Sequence, residues 1–427
     1  MNKTILFLIL FSFHFSAFSQ DIDYAKRIIR KLSSPEFKGR GYTENGDKVS
    51  ADFISREFQS LGLKPLNRKS YYQKFNISVN TFPDRVFLKI GGVEMQMAVD
   101  YLIEPSCPSV NGTFKILNIQ RNQIDTEAKL GALIKEAGDS FILIDSRDKK
   151  NETPEMSKKT DEYIQFLKYN PQINIKGVII YTSDKLTWGS SQIQHIRPVI
   201  ILNKELDLNL INSLEITVDA KLLTDYQTQN VVGYLQGTSN TDSTIVVLAH
   251  YDHLGKMGKD IYFPGANDNA SGISMMLNLA KYYSEKKPKY TMVFLALSGE
   301  ELGILGAKAF TDAPLTDLKK IKFLVNFDLA GTGDEGIRIV NGSVYKDKFD
   351  LITRINQEYS LLPKIDIRGA ACNSDHCYFY QKGVPCFYIY TQGGIQAYHD
   401  ILDKYETLPL TEFVDYCKLM IRFFDSI

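Results

Sequence analysis

Residues 243–250, "STIVVLAH", form an apolar run that ends in a histidine. "SGISMMLNLAKYYSE" follows at 271–285 and "YTMVFLAL" at 290–297. The outer two runs are short and apolar throughout, which suits strands buried on both faces. The middle one has the apolar spacing of a helix. Working outward, "GILGAKAFT" reads as a helix, "IKFLVNFD" as a strand and "YKDKFDLITRINQEY" as a helix. "VPCFYIYT" is again a strand, and "LTEFVDYCKLMIRFFDSI" closes the chain as an amphipathic helix. Strand and helix alternating in this way predict an α/β fold, a mixed, mostly parallel sheet with helices on both faces.

Toward the N-terminus the texture changes. Residues 21–65 read as two helices around a Gly-rich turn, "EFKGRGYTENG", and "YYQKFNISV" then looks like a strand. From about 80 to 222 the chain is β-rich with one helix-like stretch and polar loops, "NETPEMSKKTDEY" among them. "SFILIDS", "KGVIIYT" and "RPVIIL" are short apolar runs of the kind found in buried parallel strands. The expected division is 1–19 a signal peptide, 20–79 and 223–427 one domain, and 80–222 a smaller β-rich insertion.

The first twenty residues, "MNKTILFLILFSFHFSAFSQ", carry Lys3, an apolar stretch and then small residues, the layout of a secretory signal cleaved before Gln20. Export to the periplasm or the medium is the expectation, without a lipid anchor, since no cysteine follows the cleavage site. No other run approaches the roughly 18 apolar residues of a membrane span. With 50 basic and 50 acidic residues the formal charge is zero, which argues against nucleic acid as a partner. Of five cysteines, Cys372 and Cys377 could close a small loop around "NSDH", and no cysteine–histidine zinc framework is present. Nothing in the sequence sets the oligomeric state.

In parallel α/β sheets, ligands bind outside the carboxyl ends of the strands. His250 and Asp252 follow the first predicted strand, Glu300 and Glu301 the second, Asp328 the third, and a loop to His399 the fourth. Asp268, in "GANDNASG", lies between the first strand and its helix. Each feature alone has a structural explanation. The two glutamates could open a helix capped by Ser298, and "GANDNASG" could be only a turn. Their convergence on one rim is what points to a metal. Two imidazoles and three carboxylates without thiolates suit zinc, with cobalt or manganese as alternatives. Three carboxylates can balance two divalent ions if one bridges. Asp252, two residues beyond His250, is placed to accept the other ring N–H of that histidine.

"HYDHLG", "GANDNASG", "SGEELGILGAKAF", "VNFDLAG", "SDH" and "YHD" together resemble the successive motifs of the two-zinc aminopeptidases of metallopeptidase family 28, the bacterial leucyl aminopeptidase type. The resemblance covers 229–400 closely and extends to "KLSSPEFKGRG" and "ADFISREFQSLGLKP". The insertion more loosely resembles a protease-associated domain. The resemblance implies a zinc-exopeptidase fold (phosphorylase/hydrolase-like) that removes N-terminal residues from peptides. It assigns His250 and Asp328 to one zinc, Glu301 and His399 to the other, and Asp268 to the bridge. Glu300 becomes the general base that moves a proton from water to the leaving amine, and Asp252 supports His250. Asp375 is assigned a supporting place near the site, and His253 and His376, which are not ligands in the family, structural or pocket ones. Glutaminyl cyclases and carboxypeptidases share this architecture, and some relatives are binding ectodomains that have lost their ligands; here none is missing. One departure stands out. Where members commonly read Thr and Pro after the last ligand, this sequence has Asp400 and Ile401.

Overall fold

The computed structural model describes residues 22–149, 152–239 and 242–427, so the expected signal peptide lies outside the described residues. Four strands make the parallel centre of the larger sheet: β1 (Thr244–His250), β2 (Thr291–Leu297), β3 (Ile321–Phe327) and β4 (Cys386–Gln392). Their order is β2-β1-β3-β4. Parallel neighbours need a crossover, and helices Gly272–Glu285 and Leu305–Asp312 supply it after β1 and β2. Lys221–Leu235 runs antiparallel beside β2 and Gly336–Val340 antiparallel beside β4, so the sheet is mixed. The strand at Gly336–Val340 was not expected from its sequence, because five residues between turns carry little pattern.

The two-residue period of a strand explains why these runs are apolar throughout. Along β1, Ile245, Val247 and Ala249 enter one core while Val246 and Leu248 enter the other. The first core is closed by helices Ile22–Leu32, Gly46–Ser60, Gly272–Glu285 and Phe413–Ser426. Ile28, Ile29 and Leu32 of the first helix are fully buried, each contributing about 1.5–3 kcal/mol relative to exposure. Ala307, Phe310 and Phe379 close the opposite face.

A second sheet, of eight strands, is built from residues Val86 to Val218. Val110–Gln120, Phe141–Asp145, Gly177–Tyr181 and Val199–Leu202 run parallel in it, the last three as the apolar runs predicted. The long antiparallel pair Tyr72–Thr81 and Lys221–Leu235 leads into and out of this unit. One expectation fails here. Most of "NETPEMSKKTDEY" belongs to a helix, Pro154–Tyr169, rather than a polar loop. Thr153 caps it by accepting from the Met156 N–H, Pro154 stands in the first turn, and Thr160, Ile164 and Leu167 are its buried stripe. Two of those three anchors lie beyond the quoted stretch, so its polar half reads as loop. Cys372 and Cys377 are bridged, while Cys107, Cys386 and Cys417 are free and buried.

Candidate metal centre

The carboxyl ends of β1 to β4 bring His250, Glu300, Glu301, Asp328 and His399 to one place, and the loop before helix Gly272–Glu285 adds Asp268. Asp268 stands in the middle. Its Oδ1 faces His250 Nε2 at 3.4 Å and its Oδ2 faces His399 Nε2 at 3.1 Å. Asp328 Oδ1 lies 3.4 Å from His250 Nε2, and Glu301 Oε2 lies 3.3 Å from His399 Nε2. Two half-sites therefore share one carboxylate. His250 and the acidic members are almost wholly buried, whereas His399 keeps 18% of its side chain exposed and stands at the mouth.

The local sequence explains how a loop holds Asp268 so firmly. Gly265 has φ +57°, and a Cβ there would lie 2.2 Å from the Asp268 carbonyl oxygen, so only glycine fits. Asn269 Oδ1 accepts from the N–H of Gly272 and of Leu329, and its Nδ2 donates to the Phe327 carbonyl. Asn267 Oδ1 accepts from Gly331 N–H. The asparagines of "GANDNASG" thus stitch the Asp268 loop to the end of β3, and fix Asp268 relative to Asp328. Asp403 accepts from the backbone N–H groups of Asn267 and Asp268 at 2.8 and 3.0 Å. Arg40, fully buried, donates to the carbonyls of Gly265 and Asp268 from the other side.

The two adjacent glutamates do not open a helix. They occupy a tight turn in which Gly303 and Ile304 N–H donate to the Glu300 carbonyl, and the helix begins at Leu305. Ser298, the supposed cap, bonds Thr228 instead. Asp252 supports the turn directly: its Oδ1 accepts from Glu300 N–H and its Oδ2 from the Tyr42 hydroxyl. The Asp252 carboxylate stands 3.8 Å from His250 Nδ1, whereas the Asp252 backbone carbonyl is at 3.2 Å. His250 is therefore oriented by that carbonyl.

His253 is the neighbour that sequence reading undervalued. Its Nδ1–H donates to Glu301 Oε1 at 2.7 Å, turning Oε2 toward His399. Burial holds its pKa well below the usual imidazole value, so the ring is neutral, as one donor and one bare nitrogen require. Asp403, Arg40 and Tyr42 were likewise not singled out. Only the nearness of Asp403 to His399 in "YHDILD" could have signalled one of them. His376 donates to the Ala371 carbonyl and packs on Tyr388, a structural post. Ser374 ties Asp328 Oδ2 to Asn326, while both oxygens of buried Asp375 lack a partner.

Burial disfavours charge on the two histidines and on Glu300, Glu301 and Asp375, and neighbouring charges modify it. It opposes protonation of His250 and His399, yet Asp328 and Glu300 lift the first, and Glu301 and Asp268 bring the second to about 9. Burial raises Glu300 and Glu301, with the histidines pulling the other way, and pushes Asp375 up to about 8. Metal ions relieve such crowding of carboxylates, and the nitrogen and oxygen donors, free of thiolate, fit zinc.

Residues 230–424 match the model of peptidase family M28. Over 215 residues the chain is 30% identical to aminopeptidase YwaD of Bacillus subtilis, covering 49% of this chain and 46% of that protein. A probable leucine aminopeptidase of Trichophyton verrucosum is 26% identical over 219 residues, 48% of this chain and 58% of its own length. The match thus spans about half the length of these curated relatives. Among solved structures, a zinc aminopeptidase from Bacillus subtilis superposes with a TM-score of 0.67 over 93% of this chain and 94% of that one, at 21% identity. An aminopeptidase from Aneurinibacillus sp. strain AM-1 gives 0.62 over 94% and 92%, also at 21%. These two share the fold across both sheets. The segment that matches peptidase family M28, residues 230–424, is the one that carries His250, Asp268, Glu301, Asp328 and His399.

Proposed function

We propose that the protein is an exported, zinc-dependent aminopeptidase with two zinc ions. His250 and Asp328 would hold one ion and Glu301 and His399 the other, with Asp268 available to both. What supports this above all is the division of Asp268, one oxygen toward His250 and the other toward His399. A single-ion site would not need a carboxylate split between two histidines. Residues 80–222 are an inserted, protease-associated-like domain on this reading.

The chemistry supplied by bound zinc is polarisation of the scissile carbonyl and a lowered pKa for the attacking water. Glu300 receives the proton of that water and returns it to the leaving amine, so proton and nucleophile balance over the cycle. Burial raises its pKa, which strengthens the carboxylate as the acceptor in the first half of that task. Asp252 holds the backbone beneath Glu300, and His253 turns Glu301 toward its ion. No lysine or arginine is among the largest charge contributions at Glu300, and Arg40 is occupied by backbone carbonyls.

The test is a peptide library and aminoacyl anilides presented to the zinc-loaded protein. Trimming from the amino end, lost on chelation and restored by zinc, is expected. Glu300→Ala should cut kcat by about 10²–10⁴ while two zinc ions per chain remain bound. Zinc-loaded wild type that leaves the whole library intact, or trims only carboxyl ends, would overturn the proposal.

A further inference from the structure

His399 is the most exposed of the five ligands, and its backbone has φ 53°, a left-handed conformation uncommon for a residue with a side chain. In its own loop Tyr398 stacks on the ring at 4.0 Å, but the hydrogen-bond partners of its Nδ1 and its carbonyl come from the inserted unit. His399 Nδ1–H donates to the Trp188 carbonyl at 2.8 Å, and Trp188 N–H donates to the His399 carbonyl at 2.9 Å. These two reciprocal bonds fix the ring and leave Nε2 facing Asp268 and Glu301. Lys185, three residues earlier, donates to the carbonyls of Gln396 and Tyr398 at 2.6 and 3.1 Å and pairs with Asp400 at 2.5 Å. Gln192 donates to the Leu302 carbonyl at 2.7 Å, one residue beyond Glu301. The segment 185–192 therefore holds His399 directly and the chain next to Glu301.

The two departures in the ligand loop point the same way. Asp400 carries the carboxylate that meets Lys185, and Ile401 packs against the apolar cluster of the inserted unit, with Phe82, Leu186 and Trp188. Trp188 is itself anchored: its indole N–H donates to the Ile103 carbonyl and its ring stacks on Phe263 at 4.6 Å. Where threonine and proline would stiffen the loop from within, this chain ties the loop to its neighbour.

We propose that Lys185 and Trp188 of the inserted unit are positioning residues for His399, so that the Glu301–His399 half-site reaches full zinc affinity only with the inserted unit docked. The inference rests on the metal site proposed above. The His250–Asp328 half-site has no such dependence, because its supports, Asp252 and Ser374, belong to the same unit as its ligands.

Competition against a fluorescent chelator measures it, with wild type, Lys185→Met, Lys185→Arg and Trp188→Phe as full-length chains. Lys185 is half-exposed, so Lys185→Met should lower the melting temperature of the metal-free protein by no more than about 2–4 °C, and affinities are compared where every chain is fully folded. The expected result is two zinc equivalents in every chain. In Lys185→Met one of them should be about 10–100-fold weaker and the other unaltered, with Lys185→Arg restoring most of the loss. Trp188→Phe should weaken the same equivalent. Wild-type affinity for both equivalents in Lys185→Met and Trp188→Phe, or equal weakening of both equivalents, would overturn the inference and leave the proposed function standing. A wild type that binds no zinc would overturn both, and one that binds two without cleaving peptides would sink only the proposed activity.

Discussion

Replacing Arg40 with methionine probes the scaffold beneath the site. The guanidinium is fully buried and donates to five backbone carbonyls, those of Leu32, Tyr251, Pro264, Gly265 and Asp268, at 2.6–3.1 Å. Burial lowers its pKa only to about 10, with Asp268 and Asp403 opposing the drop, so it stays charged at neutral pH. Methionine keeps much of the volume and none of the donors. Each orphaned buried acceptor costs about 1–3 kcal/mol, but relaxation and water entry reduce the sum, and a loss of about 3–5 kcal/mol is expected. At roughly 2–4 °C per kcal/mol this lowers the melting temperature of the metal-free protein by about 6–20 °C. Zinc affinity should fall with it, because two of the carbonyls belong to the loop of Asp268. Lysine has three donors and no planar fork, so Arg40→Lys should recover only part of the stability. Thermal melts of the three proteins with and without zinc decide it. An Arg40→Met protein melting within about 2 °C of wild type, or an Arg40→Lys protein indistinguishable from it, would refute the view that Arg40 holds the loop by its five bonds.

Proton competition should govern zinc uptake. His399 keeps its proton up to about 9 in the metal-free protein, so zinc must displace it, and affinity should rise about tenfold per pH unit per displaced proton from pH 6 to 8. A pH-independent affinity over that range would contradict the electrostatics of the site. Asp47 offers a separate test. Burial raises its pKa from 3.8 to about 6, against hydrogen bonds from Tyr226 and Thr228. The folded state holds that proton more tightly than the unfolded chain, so the group's stabilising contribution is complete below about pH 4 and is lost as pH rises through 6. Urea unfolding of wild type relative to Asp47→Asn should therefore lose on the order of 3 kcal/mol between pH 4 and 7; a constant difference would rule this out.

The parallel centre of the fold was legible because its strands are buried on both faces and leave no polar residue to break the run. Helix Pro154–Tyr169 was not, since a helix with one narrow buried stripe looks like a loop when only its polar half is read. The same contrast runs through the site. His250 ends a strand, Asp328 directly follows one and Glu301 lies in the turn after a third, where their chemistry shows in local order along the chain. Arg40 and Tyr42 reach the site from more than 200 residues away, through bonds to Asp268 and Asp252.

By itself, the sequence determined the alternation of strand and helix, the rim on which the candidate ligands gather, and their residue types. All of these follow from apolar period and from residue type at strand ends. Only the tertiary structure decided how each donor is aimed. The Asp252 carboxylate serves the Glu300 turn rather than the His250 ring, His253 turns Glu301, and Trp188 orients His399 from across the boundary between two sheets. The physical reason is range. Periodicity and strand-end position are local properties of a chain, whereas a hydrogen bond requires two groups within about 3 Å, and such proximity between distant residues exists only after folding.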